Sequence, residues 1–228
     1  MNSIAQKHIV IFSHGFGQKK DARGLFTDIA TDLKEVGIES ILFDYNTINE
    51  VDNTVTVPAL GEQVNVLNRI IKETRDANPD SIIDIIACSQ GPLVVGLAQP
   101  VGIRKAIFIG ASLKPNMNSM VSRFGSREGS HIDVNGISKF VRRDGSLTIV
   151  PAEYWQSMSG IDGITLYNAL SESMEVVMIR ANQDEVLSST DITGLSSRID
   201  VINLEGNHDF TDEARPNLLR VIRGIIIT

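Results

Sequence analysis

Short unbroken apolar runs alternate along the chain with longer segments whose apolar positions recur every three or four residues. Residues 8–13 (HIVIFS), 38–44 (IESILFD), 81–87 (SIIDIIA), 105–111 (KAIFIGA), 175–181 (EVVMIRA) and 198–205 (RIDVINLE) are runs of the first kind. Near-continuous hydrophobicity predicts strands buried on both faces of a sheet. Between them, Phe26, Ile29, Ala30 and Leu33 mark one helix, and Leu60, Val64, Leu67 and Ile71 mark the apolar face of another, closed by Asn78-Pro79. Residues 90–99 (QGPLVVGLAQ) read as a helix stopped by Pro100, and a last helix carries Leu218, Val221, Ile222 and Ile225, with Pro216 in its first turn. Strand–helix alternation of this kind predicts an α/β fold: a six-stranded, mainly parallel sheet with helices on both faces.

The rhythm stops between residues 113 and 173. This stretch is richer in Ser, Gly, Met and Arg, and its one clear signal is ISKFVRRDGSLTIVP, a hairpin turning at Asp144-Gly145. PAEYWQSM then predicts a helix starting at Pro151. We therefore expect a core made of residues 1–112 and 174–228, with 113–173 inserted as a cap or lid after the fourth strand.

Composition narrows the class of function. The chain has 228 residues, 42% of them hydrophobic and 21% charged, and a net charge of −7. An acidic balance opposes nucleic-acid binding, which calls for a basic face, and gives no support to an anionic membrane surface. The apolar run near the start is too short for a signal-peptide core, and no stretch approaches the ~20 apolar residues of a membrane span. The single cysteine, Cys88, excludes an internal disulfide. A cytoplasmic location is expected.

The candidate chemistry begins at Ala87-Cys88-Ser89-Gln90-Gly91, between a strand pattern and a helix pattern. A sharp strand-to-helix reversal presents the residue at its crest and needs small residues two positions to either side. Ser89 is thus the candidate nucleophile; the competing reading is a serine that caps the helix. Cys88 should lie to the side of the turn, as a packing residue.

A serine hydroxyl needs a base. The histidines are His8, His14, His131 and His208, and only His208, in NLEGNHDF, directly follows the last strand pattern. That position is the carboxyl edge, where parallel sheets form their crevice. A surface loop histidine is the alternative. Asp184 in MIRANQDEV is the expected orienting acid; Glu185 is adjacent, but only one of the two should reach the imidazole. The order Ser89, Asp184, His208 is that of α/β-hydrolases. SHGFG at 13–17 ends the first strand, where Gly15 and Gly17 let the backbone approach a substrate. The N–H groups of Phe16 and Gln90 would then hold an oxyanion. His14 is read as structural.

With these residues in hand, the chain resembles an α/β-hydrolase-fold serine esterase over nearly its whole length. The match is carried by IFSHGFGQKKDARGLFTDIATDLKEVGIESILFDYN, IIACSQG and NQDEV…NLEGNHDF. It looks most similar to small intracellular cinnamoyl (feruloyl) esterases and related acyl-ester hydrolases, which have HGF after the first core strand, SQG at the elbow and a hairpin-bearing lid. The resemblance implies Ser89 as nucleophile, His208 as base, Asp184 as orienting acid, and Phe16 and Gln90 as oxyanion donors. The elbow departs from the family's G-H-S-Q-G-G in having Ala87, Cys88 and Pro92, and the family's N-terminal antiparallel hairpin has no counterpart.

The expected activity is hydrolysis of small-molecule carboxylic esters through an acyl-enzyme. A thioesterase, an amidase or a non-hydrolytic binding protein on this fold are the alternatives. Tyr154 and Trp155, with Met158, are candidates for a pocket wall beside Phe16, against a reading in which they pack the cap. Arg142 and Arg143 suit either an acidic substrate group or a solvated turn. No metal-ligand spacing and no phosphate loop is present, so neither metal nor cofactor is expected.

Overall fold

The computed structural model describes residues 6–142, 144–187 and 191–228. In chain order its first half runs β1 (His8–Ser13), α1 (Leu25–Lys34), β2 (Glu39–Leu42), β3 (Thr47–Asn49), β4 (Thr54–Thr56), α2 (Leu60–Ala77), β5 (Ile82–Cys88), α3 (Gly91–Ala98) and β6 (Lys105–Ile109). Then come α4 (Met117–Gly125), β7 (Ile137–Val141), β8 (Leu147–Pro151), α5 (Ala152–Ser157), α6 (Gly163–Leu170), β9 (Glu175–Ala181), β10 (Ile199–Leu204) and α7 (Ala214–Ile227).

The six apolar runs form one sheet in the order β10-β9-β6-β5-β1-β2, and every neighbouring pair is parallel. Alternate residues of each strand enter opposite halves of the core. Val10, Phe12, Ile86, Ile107 and Ile179 meet Phe26 and Leu33 of α1 and Leu218 and Ile222 of α7. Ile11, Ile85, Phe108 and Met178 face Leu67 of α2, Leu93 of α3 and Tyr167 of α6. Buried on both faces, the strands carry no polar alternation, which is why their hydrophobic runs are unbroken.

The main buried charge lies within β5. Asp84, at 0% exposure, accepts hydrogen bonds from Arg104 through both oxygens and sits 2.7 Å from His8 Nε2. Burial pushes its carboxyl up, but the hydrogen bonds and charges of His8 and Arg104 outweigh that and hold it below the usual value. This gives His8 a structural hydrogen-bond partner, away from the carboxyl edge.

Residues 113–173 pair with the first half of the chain. Their hairpin, β7–β8, joins β3 and β4 from the first half of the chain in a second sheet, ordered β3-β4-β8-β7, in which β8 runs parallel to β4. The hydrophobic pattern does not reveal β3 and β4, because three-residue strands are too short to show a period. α4 and α6 likewise lie within the stretch that lacked a pattern. Pro151 proves to be both the end of β8 and the N-cap of α5, so that helix starts one residue later than expected.

Phe140, Tyr154 and Trp155 from this stretch are buried in the same core half as α2 and α3. Trp155 stands edge-on to Phe140 at 6.0 Å and donates its indole N–H to Ser138 Oγ at 3.2 Å. No helix among the described residues is long and apolar enough to cross a membrane.

Removing the indole should therefore cost what a core truncation costs. We expect Trp155→Ala to lower stability by about 3–5 kcal/mol in urea unfolding. A loss under about 1 kcal/mol would mean that the inserted stretch folds apart from the core.

Candidate active site

The chain reverses direction at Ser89, directly after β5. Its φ of 57° is left-handed, a backbone that costs a non-glycine residue on the order of 1–3 kcal/mol. Two contacts hold it there. The Ser89 N–H donates to the Ile109 carbonyl at 2.9 Å, tying the turn to the end of β6. At Gly91 a Cβ would lie 2.1 Å from the Ser13 carbonyl oxygen, so only glycine lets α3 start so close to β1. The close approach that Gly91 permits is to the end of β1.

Loops leaving the carboxyl ends of β9 and β10 bring two further side chains to this point. His208 Nε2 lies 3.0 Å from Ser89 Oγ, and His208 Nδ1 lies 2.8 Å from Asp184 Oδ2. The other Asp184 oxygen accepts the N–H groups of Val186 and Leu187, each at 2.8 Å. Burial pushes the Asp184 carboxyl up. The hydrogen bond and charge of His208, helped by those two N–H groups, more than reverse this and hold it below the usual carboxylate range. An ionised Asp184 accepts from Nδ1–H, which leaves the Nε2 lone pair facing the serine hydroxyl. Glu185 does not compete for the ring: its Oε2 accepts the His208 backbone N–H at 3.1 Å.

Opposite the histidine, residues 14–18 form a tight loop after β1. His14 Nδ1 lies 2.9 Å from the Gly15 carbonyl, and His14 Nε2 accepts the Tyr45 N–H at 3.0 Å. The second bond requires a bare Nε2, so the proton sits on Nδ1 and is donated to Gly15. Burial lowers the His14 pKa, in keeping with a neutral structural ring. Gln18 closes the loop from the other side, its Oε1 accepting the Gly15 N–H at 2.9 Å. Among the described residues, neither the Phe16 nor the Gln90 backbone N–H donates a hydrogen bond. The Gln90 side chain is pinned: Tyr154 Oη donates to its Oε1 at 2.6 Å, and its Nε2 donates to Gln63 Oε1 at 3.1 Å.

Several expectations change here. Tyr154 and Trp155 do not form the pocket wall. Their rings point into the core, and Tyr154 lies behind the cavity, contacting Phe16 at 5.2 Å between ring centroids. The helical period of α5 turns both towards α2 and the sheet, while Met158 at its end lines the cavity. Arg142 is not in a solvated turn but buried, and its Nη2 donates to the carbonyls of Phe16 and Gly17. Arg143 lies outside the described residues. His131 pairs by its backbone with Lys139, away from Ser89.

Gln18 and Gln63 join the site without being among the candidates the sequence offers. Gln63 carried a readable signal, since it occupies a core-facing position of α2 between Leu60 and Leu67. Gln18 carried none.

A cavity of about 740 Å³ opens over Ser89 and His208. Phe16, Leu93, Met120, Phe124, Met158 and Leu187 supply its apolar lining. Its size suits a small organic molecule. A serine with an aligned imidazole and carboxylate, below two unengaged N–H groups, has the parts needed for nucleophilic acyl transfer.

No family model matches the chain, and no curated protein matches it either. Solved structures do. Est1E from Butyrivibrio proteoclasticus, in a structure described with ferulic acid bound, is 16% identical with a TM-score of 0.72, over 99% of this chain and 90% of that one. The α/β hydrolase GrgF from Penicillium sp. is 17% identical with a TM-score of 0.70, over 97% and 90%. A monoacylglycerol lipase from Paleococcus ferrophilus is 13% identical with a TM-score of 0.65, over 97% and 96%. The chain has the α/β-hydrolase fold.

Cys88, beside the elbow, is buried, and burial pushes its thiol up to about 12. Iodoacetamide at pH 8 should leave the native protein unlabelled and label it fully in urea. Rapid native labelling would place a reactive thiolate next to Ser89.

Proposed function

We propose that the protein is a serine hydrolase of carboxylic esters, working through an acyl-enzyme. The observation that carries this is the aligned pair of contacts at the elbow, 3.0 Å from Ser89 Oγ to His208 Nε2 and 2.8 Å from His208 Nδ1 to Asp184. Solved structures of like fold add weight, since the descriptions of two of them name an esterase and a lipase.

In this reading His208 takes the hydroxyl proton as Ser89 Oγ bonds to the ester carbonyl carbon, and the carbonyl electrons move onto oxygen. The N–H groups of Phe16 and Gln90 hold that oxyanion; one such donor is worth about 3 kcal/mol. Collapse breaks the bond to the alcohol oxygen, which leaves with the proton from His208. Water then repeats the sequence: His208 takes its proton, the oxygen adds to the acyl carbon, and Ser89 departs reprotonated with the free acid released. Asp184 keeps the ring in the tautomer that both halves need, and stabilises the imidazolium formed in each. The polar network behind Gln90 has a place in this scheme, because it stops the donor-bearing residue from turning.

A panel of p-nitrophenyl esters tests the reading. Ser89→Ala should lower kcat by at least about 10³-fold while leaving thermal unfolding unchanged, as expected for a nucleophile acting with its base as a unit. Cys88→Ala should keep most of the activity. The reverse pattern, with Ser89→Ala active and Cys88→Ala dead, would make the protein a cysteine hydrolase.

A further inference from the structure

Arg142 follows β7 and is 8% exposed. Its Nη2 donates to the Phe16 and Gly17 carbonyls at 3.0 and 3.1 Å, and its guanidinium lies over the rings of Phe124 and Phe16, 4.9 and 5.7 Å from their centres. These contacts engage one nitrogen. The N–H groups of Nε and Nη1 have no acceptor among the described residues, and no carboxylate oxygen of those residues lies within 4.0 Å of the guanidinium. The same side chain lines the cavity that holds Ser89 and His208.

Four carboxylates line the cavity, those of Asp21, Asp144, Glu185 and Asp209; none lies within 4.0 Å of the guanidinium, and three are engaged with other partners. Asp209 pairs with Arg23 at 2.8 Å, Asp144 accepts the Ser146 hydroxyl at 2.7 Å within its own turn, and Glu185 accepts the His208 N–H. Burial, with like charge from Arg23 and Arg127 and only partly offset by Asp144 and Asp209, pushes the Arg142 guanidinium down to about 10, still cationic at neutral pH. A buried charge is expensive to keep without a counter-ion, so the cavity favours a ligand that brings one. Six lysines and arginines line the cavity against those four carboxylates, a local reversal of sign on a chain of net charge −7.

We propose that Arg142 forms an anion subsite, and that the substrate is an ester bearing a second, ionised oxyacid group. The acid is held by the unengaged N–H groups of the guanidinium while the ester carbonyl meets Ser89. The apolar lining covers the carbon chain between the two. This rests on the reading of Ser89 as an acyl-transfer nucleophile.

Matched substrates test it: mono-p-nitrophenyl succinate against its neutral methyl ester, and p-nitrophenyl 3-phosphonopropionate against its neutral dimethyl ester. Wild type should favour the charged member of one pair or both by tenfold or more in kcat/KM, and the better acid identifies the carboxylate or the phosphoryl class. Arg142→Met should bring the ratio to within twofold, and Arg142→Lys should restore part of it. Because Arg142 also holds the Phe16 loop, Arg142→Met will slow both members of a pair; that loss cancels in the ratio. Equal or better use of the neutral esters by wild type, or an unchanged ratio in Arg142→Met, overturns the proposal while leaving ester hydrolysis intact. If no ester is cleaved, the hydrolase reading fails, and calorimetry decides the subsite alone. Ser89→Ala should bind monobenzyl succinate but not its methyl ester, and Arg142→Met added to that variant should abolish binding. No difference between the two ligands would remove the subsite.

Discussion

The reversal of the chain at Ser89 is the constraint around which the site is built. A serine with φ of 57° is held there because α3 begins almost in contact with β1, at a separation that only Gly91 permits. That contact puts the turn after β5 next to the turn after β1, so that Ser89 and the Phe16 loop face each other. The hydrogen bond from Ser89 to Ile109 sets the third neighbour, β6. Gly110, also left-handed at φ 57°, leaves room there for the imidazole: a Cβ would come within 3.2 Å of His208 Cε1. The strain of the elbow is thus borne by a parallel sheet whose strands are fixed on both faces.

How much of this could be read from the residues depends on the length of the signal. The six sheet strands and the long helices announce themselves, because burial on two faces or on one helical stripe writes a pattern over many positions. That Ser89, Asp184 and His208 come together was legible for a different reason. Each falls just past an apolar run, and a parallel sheet gathers all such positions at one edge. β3 and β4 were not legible, since three residues carry no period and their partner β8 lies far along the chain. Tyr154 and Trp155 show the limit of composition: aromatic residues near a site suggested a wall, but the phase of a six-residue helix turned them into the core. Arg142 was ambiguous for a similar reason, because a charge beside a hairpin turn does not say which way the hairpin leans.

Residues 113–173 make direct contacts with the residues around the elbow. Their hairpin supplies Arg142 to the carbonyls of Phe16 and Gly17, and their helix α5 supplies Tyr154 to the side chain of Gln90. Each of the two residues proposed as oxyanion donors is therefore braced from the insertion, although both belong to the core. Gly17 records the closeness of the packing, since a Cβ there would meet Arg142 Nη2 at 2.7 Å. Preorganised donors act because they need not move as charge develops, and this bracing is the means by which a short loop can be held still.

The central claim is that Ser89 is the covalent nucleophile, activated by His208. The most direct measurement treats the wild-type protein with a small fluorophosphonate and maps the adduct by peptide mass spectrometry. The account predicts a single adduct on Ser89, and at least a hundredfold slower labelling when His208 is replaced by alanine. An adduct on another residue, or labelling of Ser89 at the same rate without His208, would contradict it.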